Sequence, residues 1–187
     1  MAATRPGAKP GPYGTAGIVL AEGSLRARSG DRIRRAMLED DVVACVVALP
    51  PHLFRTTRIP SCLWILTKNK GRRRPVDRRG EILFVDAREA GTLVGGRTER
   101  VLTETDITRI AGTYHAWRGI LSARAERAPY RDEPGFCASV GLEAVRRHKY
   151  ELTPSRYVSR ARAGFATQDA RRGELQALTR NLDVLFD

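Results

Sequence analysis

An unbroken apolar run at residues 42–49 constrains the fold of this 187-residue chain more than any other feature. The run contains four valines and no charged side chain, and Pro50-Pro51 ends it. A strand with one face in water alternates apolar and polar residues, whereas a strand covered on both faces is apolar throughout. The run therefore predicts a buried strand in an α/β sheet that has helices on both faces.

Further strands and helices are predicted on both sides of this run. Strands are indicated at residues 16–20, 59–67, 81–86 and 136–140, and helices at residues 31–40, 103–117, 142–148 and 170–186. The helix at residues 103–117 begins with Thr-Glu-Thr-Asp, a capping-box pattern in which side chains bond the first free backbone amides. Residues 91–100 are predicted to form a loop.

The helix at residues 31–40 has an amphipathic pattern. Asp31 is a suitable N-cap residue. The apolar residues are expected to face the core and the arginines largely to face water, which places Ile33, Met37 and Leu38 inward and Arg32, Arg34 and Arg35 outward.

The charge of the chain favours a polyanionic partner. Its 33 basic and 21 acidic residues give a formal net charge of +12. Lysine and arginine side chains at phosphates release counterions, which drives binding to nucleic acids. However, 29 of the basic residues are arginine, and such a bias also arises in a GC-rich genome. Charge alone leaves both explanations open.

The basic segment at residues 68–80 is one candidate binding site. Seven of its thirteen residues are lysine or arginine. Its spacing predicts a hairpin between the strands at residues 59–67 and 81–86, with a basic, mobile tip. Such a tip is either a solvated loop or a contact to DNA phosphates, which position a duplex without reading its sequence. The candidate backbone contacts are Arg58, Lys68, Lys70, Arg72, Arg73 and Arg74.

Composition also excludes several classes of protein. The three cysteines, Cys45, Cys62 and Cys137, have no spacing typical of a zinc site, so no metal site is predicted. No apolar run approaches the roughly 20 residues of a membrane span. We expect a cytoplasmic protein with reduced thiols and no membrane partner. Residues 1–14 are rich in proline and glycine and are expected to be a disordered leader.

Four segments together resemble a known family. The longest, at residues 49–70, has Leu-Pro, a loop with Leu-Phe and Thr-x-Ile-Pro, and an apolar strand ending in Lys-x-Lys. The others are residues 15–25, residues 32–41 and the Leu-x-Pro-x-Arg-Tyr pattern at residues 152–158. In this order they resemble the modification (methyltransferase) subunit of type I restriction–modification systems, an adenine-specific DNA methyltransferase family.

The resemblance implies a Rossmann-like, mostly parallel sheet and methyl transfer from S-adenosylmethionine to the exocyclic amine of adenine. In that family a Gly-rich turn holds the cofactor, and an Asn-Pro-Pro-aromatic turn grips a base flipped out of the duplex. This chain contains no Asn-Pro pair, and we find neither motif in it. By resemblance it holds the C-terminal half of a methyltransferase sheet, incomplete and inactive on its own. We assign no cofactor-binding and no catalytic residue.

The resemblance also implies a base pocket. In related adenine methyltransferases an aromatic residue of this loop packs against the flipped base, and Phe54 occupies that position here. An aromatic ring holds a base by stacking, with roughly 1–3 kcal/mol. Thr57 and Pro60 match positions that shape the loop, whereas Arg58 replaces a small residue, often glycine. The alternative is that Phe54 anchors the loop in the core.

By resemblance, the methyltransferase domain covers residues 15–158, and residues 159–187 form a helical tail. Its partners would be DNA, the specificity and restriction subunits of a type I system, or a chain that supplies the missing N-terminal half. The alternative function is a basic nucleic-acid-binding or interaction module without catalysis, which the charge and the segment at residues 68–80 would suffice to explain.

Overall fold

The structure, a computed structural model, describes residues 14–54, 58–71, 76–95, 99–120 and 129–158. Its strands are β1 (Thr15–Ala21), β2 (Val43–Ala48), β3 (Ser61–Thr67), β4 (Glu81–Asp86), β5 (Thr92–Val94), β6 (Glu99–Val101) and β7 (Cys137–Gly141). Its helices are α1 (Asp31–Glu39), α2 (Glu104–Trp117), α3 (Leu142–Arg147) and α4 (Ser155–Val158), with short 3-10 turns at Glu22–Leu25 and Arg28–Gly30. The predicted leader up to residue 13, the predicted tail and the helix expected at residues 170–186 lie outside the described residues.

Five strands form one mixed sheet in the order β1-β3-β2-β4-β7. The central strand, β2, is antiparallel to β3 and parallel to β4, and all six of its residues are buried. The prediction of a strand covered on both faces is therefore confirmed. Of the four pairings within this sheet, only β2 with β4 is parallel, so the described part of the sheet is mostly antiparallel.

The strand directions give the sheet two distinct edges. Ala21 at the end of β1 and Ala48 at the end of β2 lie beside the first residues of β3, and Ala48 pairs with Asp86 at the end of β4. Strands β1, β2 and β4 therefore all end at the same edge, which we call the carboxyl edge. The opposite edge, where these three strands begin, is the amino edge. In α/β sheets ligands bind beyond the carboxyl ends of the strands.

The prediction of a hairpin between the strands at residues 59–67 and 81–86 is wrong. Strand β2 lies between β3 and β4 and pairs with both. An entirely apolar strand is stable only with neighbours on both sides and cover on both faces, so β2 takes the central place that a hairpin would have closed. The connection at residues 68–80 consequently crosses the amino end of β2. A short hairpin does form where a loop was predicted, from β5 and β6.

Helix α1 packs Met37 and Leu38 inward as predicted, but it exchanges the predicted places of Ile33 and Arg34. Ile33 is 67% exposed, whereas Arg34 is only 4% exposed. The guanidinium of Arg34 donates to the backbone carbonyls of Ser24 and Ala27, both at 3.1 Å, and of Tyr150 at 2.8 Å. These acceptors supply the hydrogen bonds that a buried cation requires, which allows the arginine to lie inside.

Helices α1, α3 and α4 cover one face of the sheet. Leu38 of α1 and Val145 of α3 belong to the same buried cluster as Phe84 of β4. The ring of Tyr157, on α4, stacks on Phe84 with the ring centroids 4.1 Å apart. Tyr157 belongs to the Leu-x-Pro-x-Arg-Tyr pattern, so that pattern closes this face of the core.

Helix α2 covers the opposite face. Its predicted capping box is confirmed, since the Asp106 amide donates to Thr103 Oγ1 at 3.1 Å and the Thr103 amide donates to Asp106 Oδ2 at 2.9 Å. Trp117, at the end of this helix, is fully buried, and its Nε1 donates to Ser139 Oγ at 2.8 Å. The Ser139 hydroxyl donates in turn to the carboxylate of Glu81 at 2.8 Å.

Strand β1 leaves an apolar edge uncovered. All seven of its residues are exposed, and Ile18, Val19 and Leu20 are 42%, 51% and 40% exposed. Among the described strands, β1 pairs only with β3. None of the helices formed by the described residues has the length and the apolar character that a membrane crossing requires.

Removal of the Trp117 side chain tests how much the packing of α2 on the sheet contributes to the stability of the fold. We expect Trp117→Ala to lower the free energy of unfolding by about 3–5 kcal/mol, because it empties a buried site and leaves Ser139 without its donor. Urea titration followed by circular dichroism measures the loss. The control is Ile33→Ala, at an exposed helical position, which we expect to change the free energy by less than about 0.5 kcal/mol. Similar losses in both variants would contradict the described packing.

Candidate nucleic-acid interface

The loop at residues 50–60 leaves the sheet at the carboxyl edge. Backbone hydrogen bonds hold it at both ends, since the Arg100 amide donates to the His52 carbonyl at 2.9 Å and the Glu22 amide donates to the Pro60 carbonyl at 2.8 Å. Leu53 packs against the core cluster on the α2 face. The two described ends of the loop are thus held in place, and the second end lies beside the turn that follows β1.

Phe54 projects from this loop with 41% of its surface exposed. Leu53, its neighbour, is the residue that packs into the core, so the role of loop anchor belongs to Leu53. An exposed aromatic ring offers a stacking platform for a planar base. Arg58 and Pro60 are also exposed, whereas Thr57 lies outside the described residues. An exposed ring of this kind can position a base by stacking, which is a binding role and not a chemical step.

The basic segment at residues 68–80 lies at the opposite, amino edge of the sheet, because it joins the end of β3 to the start of β4. Its base is firmly held. The Arg78 amide donates to the Lys70 carbonyl at 3.0 Å, and Arg78 Nε donates to the Trp117 carbonyl at 2.7 Å. The buried Arg118 donates to the Asn69 carbonyl at 3.3 Å. Lys68 is exposed; the predicted contacts Arg72, Arg73 and Arg74 lie outside the described residues.

The structure therefore does not bring the two predicted sites together. Phe54 lies beyond the carboxyl end of β2, and Lys68 lies near its amino end. Six residues of strand span roughly 20 Å. A nucleotide that stacks on Phe54 therefore does not place its own phosphate at Lys68.

Lys70 does not fit the predicted role of a phosphate contact. Its side chain is 1% exposed, and its Nζ donates to Asp41 at 2.6 Å and to the Glu81 carbonyl at 2.8 Å. Burial lowers the pKa of Lys70, and the hydrogen bond and charge of Asp41 oppose that shift. Asp41 also accepts the Gly80 amide at 3.1 Å. Lys70 therefore fastens the connection to the sheet and has no free face for a phosphate.

Gly17 and Gly23, in β1 and the turn after it, do not form a cofactor cradle. Gly23, in the turn after β1, has open space around the position of a Cβ atom. Gly17 lies within β1, where a Cβ atom would meet Leu63 at an ordinary 3.6 Å. Neither glycine permits a close approach that a larger residue would forbid. These two glycines thus form no cradle for S-adenosylmethionine, and we derive no step through that cofactor.

Comparison with known proteins identifies relatives. The family model of the N-6 DNA Methylase family matches residues 8–164. The HindI methylase subunit of a type I restriction enzyme from Haemophilus influenzae is 40% identical over 152 residues, 80% of this chain and 31% of that protein. The MjaIX methylase subunit of a type I restriction enzyme from Methanocaldococcus jannaschii is 32% identical over 148 residues, 79% of this chain and 25% of that protein.

A solved structure agrees with these matches. The crystal structure of the type I restriction–modification methyltransferase subunit from Streptococcus thermophilus superposes with a TM-score of 0.60 at 28% identity. The match covers 77% of this chain and 26% of that one. The predicted fold class, part of a methyltransferase-like α/β sheet with flanking helices, is confirmed. The chain spans less than a third of the length of the relatives described above.

The structural role of Lys70 can be tested by comparison with the nearby, exposed Lys68. We expect Lys70→Ala to lower the free energy of unfolding by about 1–3 kcal/mol, because it leaves Asp41 and the Glu81 carbonyl without a buried donor. Lys68→Ala removes an exposed charge and is expected to change stability by less than about 0.5 kcal/mol. Urea titration of both variants measures the difference. Equal stabilities of the two variants would show that Lys70 is not a structural cation.

Proposed function

The chain belongs to the N-6 DNA methylase family, and we propose that it forms part of a type I modification subunit that methylates adenine in DNA. The observation that supports this role most directly is the loop of Phe54. An exposed aromatic ring at the carboxyl edge is suited to hold a base that has left the duplex. We propose that Phe54 stacks on the target adenine and that Thr57 and Pro60 shape the pocket.

In this proposal the present residues position the base, and the methyl donor is bound elsewhere. S-adenosylmethionine would supply the methyl group to the exocyclic amine. The amine is a poor nucleophile, since its lone pair is delocalised into the ring, so it must be positioned and polarised. We propose that the cofactor and the polarising groups are held by residues outside this chain. The chain alone would then be inactive.

The uncovered edge of β1 supports a partner for this half of the sheet. An open strand edge with exposed apolar side chains invites pairing with a further strand. Ile18, Val19 and Leu20 supply those side chains, and each is at least 40% exposed. We propose that the segment that carries the cofactor site covers this edge, either from the same polypeptide or from a second chain.

We also propose the further partners and the location of the assembly. The relatives are methylase subunits of type I restriction enzymes. In such a system DNA, a specificity subunit and a restriction subunit would be the partners of this chain, and the assembly would act in the cytoplasm. Three buried, free cysteines agree with a reducing compartment.

A methyl-transfer assay tests whether the chain works alone. We expect the purified chain to incorporate no labelled methyl from S-adenosylmethionine into duplex DNA above background, because in this proposal the groups that hold the cofactor and the amine lie outside the chain. A complete type I modification enzyme in the same buffer is the positive control. Robust incorporation by the chain alone would refute the proposal that its catalytic groups lie elsewhere.

Substitution of Phe54 tests the base pocket. A duplex with one bulged adenine is a suitable probe, because an unpaired base costs less to extrude. We expect Phe54→Ala to weaken binding of this duplex by about 1–3 kcal/mol and Phe54→Tyr to preserve it, since both aromatic rings can stack. Fluorescence anisotropy measures the affinities.

The control for Phe54 lies in the same loop. Ile59 is 60% exposed, so Ile59→Ala also removes an exposed apolar side chain beside the site. We expect it to leave the affinity for the bulged duplex unchanged. Equal effects of Phe54→Ala and Ile59→Ala would mean that the loop contributes only general apolar surface.

A further inference from the structure

A basic cleft lies on the face of the sheet that α1, α3 and α4 cover. Its volume is about 650 Å³, and twelve residues line it. Eight of these residues are arginine or lysine, and only two, Asp31 and Glu151, are carboxylates. Nothing in the proposed base pocket or in the segment at residues 68–80 uses this cleft. Its charge is suited to an anionic ligand.

Several of the eight cations are already engaged by the protein. Arg34 pairs with Asp31 at 3.2 Å, besides its three carbonyl bonds, and Arg156 pairs with Glu151 at 3.0 Å. Arg146 lies between two glutamates, Glu39 and Glu143.

The engagement of Arg146 persists over a wide pH range. Hydrogen bonds from Arg146 and Tyr150 lower the pKa of Glu39 to about 2, which keeps that carboxylate ionised at neutral pH. The cations of Arg34, Arg146 and Arg156 therefore hold the walls of the cleft together, and the binding of an anion must rely on other side chains.

Four cations of the cleft are exposed and free. Arg26, Arg28, Arg147 and Lys149 make no ion pair and no side-chain hydrogen bond within the described part of the chain. Arg26 and Arg28 lie on the turn after β1, whereas Arg147 and Lys149 lie on the segment at the end of α3. The two pairs thus face the cleft from separate segments of the chain.

Arg34 fixes the two segments relative to each other. Its guanidinium donates to Ser24 and Ala27 on one wall and to Tyr150 on the other. The Leu152 amide adds a bond to the Leu25 carbonyl at 3.0 Å. A site whose walls are fixed in advance loses little ordering entropy when a ligand binds.

The backbone at the second wall is held in a costly conformation. Lys149 and Tyr150 have φ angles of 54° and 58°, in the left-handed region that non-glycine residues rarely adopt. The Tyr150 amide donates to the Val145 carbonyl at 3.0 Å, and the Tyr150 carbonyl accepts from Arg34. These bonds maintain the conformation that keeps Lys149 in the lining of the cleft.

The cleft is linked to the Phe54 loop through the turn after β1, although the cleft lies on the face of α1, α3 and α4 and Leu53 packs on the α2 face. The turn that carries Arg26 and Arg28 begins at Glu22, whose amide bonds Pro60 at the end of the Phe54 loop. The segment at residues 68–80 lies at the other edge. The bond from Glu22 thus links the wall with Arg26 and Arg28 to the Phe54 loop, whereas the wall with Arg147 and Lys149 follows α3, whose first amide bonds the Gly80 carbonyl at the amino edge.

We propose that this basic cleft binds the sugar–phosphate backbone of the DNA whose target adenine is held at Phe54. Arg26, Arg28, Arg147 and Lys149 are the phosphate contacts. They position the duplex and read no sequence, since phosphates are the same at every base pair. The inference rests on the proposed function, because it places DNA at the carboxyl edge.

A pair of matched double variants tests the proposal. Arg26→Gln with Arg147→Gln removes one free cation from each wall of the cleft. Arg32→Gln with Arg131→Gln removes two exposed cations that do not line the cleft, so the net charge of the two proteins is the same. A third variant carries Arg72→Gln, Arg73→Gln and Arg74→Gln. Thermal melting confirms that each variant is folded like the natural chain.

Binding of a labelled duplex is then followed by fluorescence anisotropy between roughly 50 and 200 mM salt. We expect the cleft variant to bind roughly 10- to 100-fold more weakly and its salt slope to fall by about 2, because each phosphate contact contributes about 0.9 to the slope. The matched control is expected to keep both the affinity and the slope of the natural chain.

The possible outcomes distinguish failure of the cleft proposal from failure of the proposed function. If the natural chain binds the duplex and only the variant at residues 72–74 weakens it, the cleft proposal is overturned and a DNA partner stands. If the natural chain binds no duplex even at low salt, both proposals are overturned. Melting in inorganic phosphate against chloride at equal ionic strength tests a small-anion site. Stabilisation by phosphate that the cleft variant lacks, with unchanged duplex affinity, would overturn the DNA proposal.

Discussion

The complete burial of β2 determines the arrangement of the described structure. Six consecutive residues without a polar face can be stable only where both edges are paired and both faces are covered. Burial of a valine or leucine side chain contributes roughly 1.5–3 kcal/mol. The buried side chains of β2 therefore stabilise the packing of the elements that cover the strand. Strands β3 and β4 take its edges, α2 takes one face, and α1, α3 and α4 take the other. The direction of β2 then places the Phe54 loop at the carboxyl edge.

The sequence predicted those elements whose signal is local. The apolar run at residues 42–49 indicated a buried strand, and the pattern from Thr103 to Asp106 indicated the start of α2, and both are confirmed. The local sequence does not indicate which strands pair with each other. Strands adjacent in sequence often pair, but the need of β2 for two neighbours overrode that tendency. Arg34 was placed outward because its acceptors, up to 116 residues away, cannot be found from helical periodicity.

The same distinction explains which parts of the candidate site could be predicted. Phe54 was found because its loop resembles that of a family, and the segment at residues 68–80 was found because its charges are contiguous. The sequence does not indicate the cleft, because its free cations are split between residues 26–28 and 147–149. Lys70 was misplaced for the opposite reason, since a lysine in a basic run gives no sign of the carboxylate, Asp41, that the fold brings to it.

The bond from Arg34 to Tyr150 joins positions that are 116 residues apart, and this separation has a kinetic meaning. Closing so long a segment costs chain entropy before any contact compensates for it. We therefore expect the cleft to assemble late in folding, after α1 and the strands around β2. Until then its cations are scattered along an extended chain and repel one another little. In a nascent or partly folded chain the charges at residues 68–80 are already contiguous, whereas the cleft becomes a polyanion site only once the fold is complete.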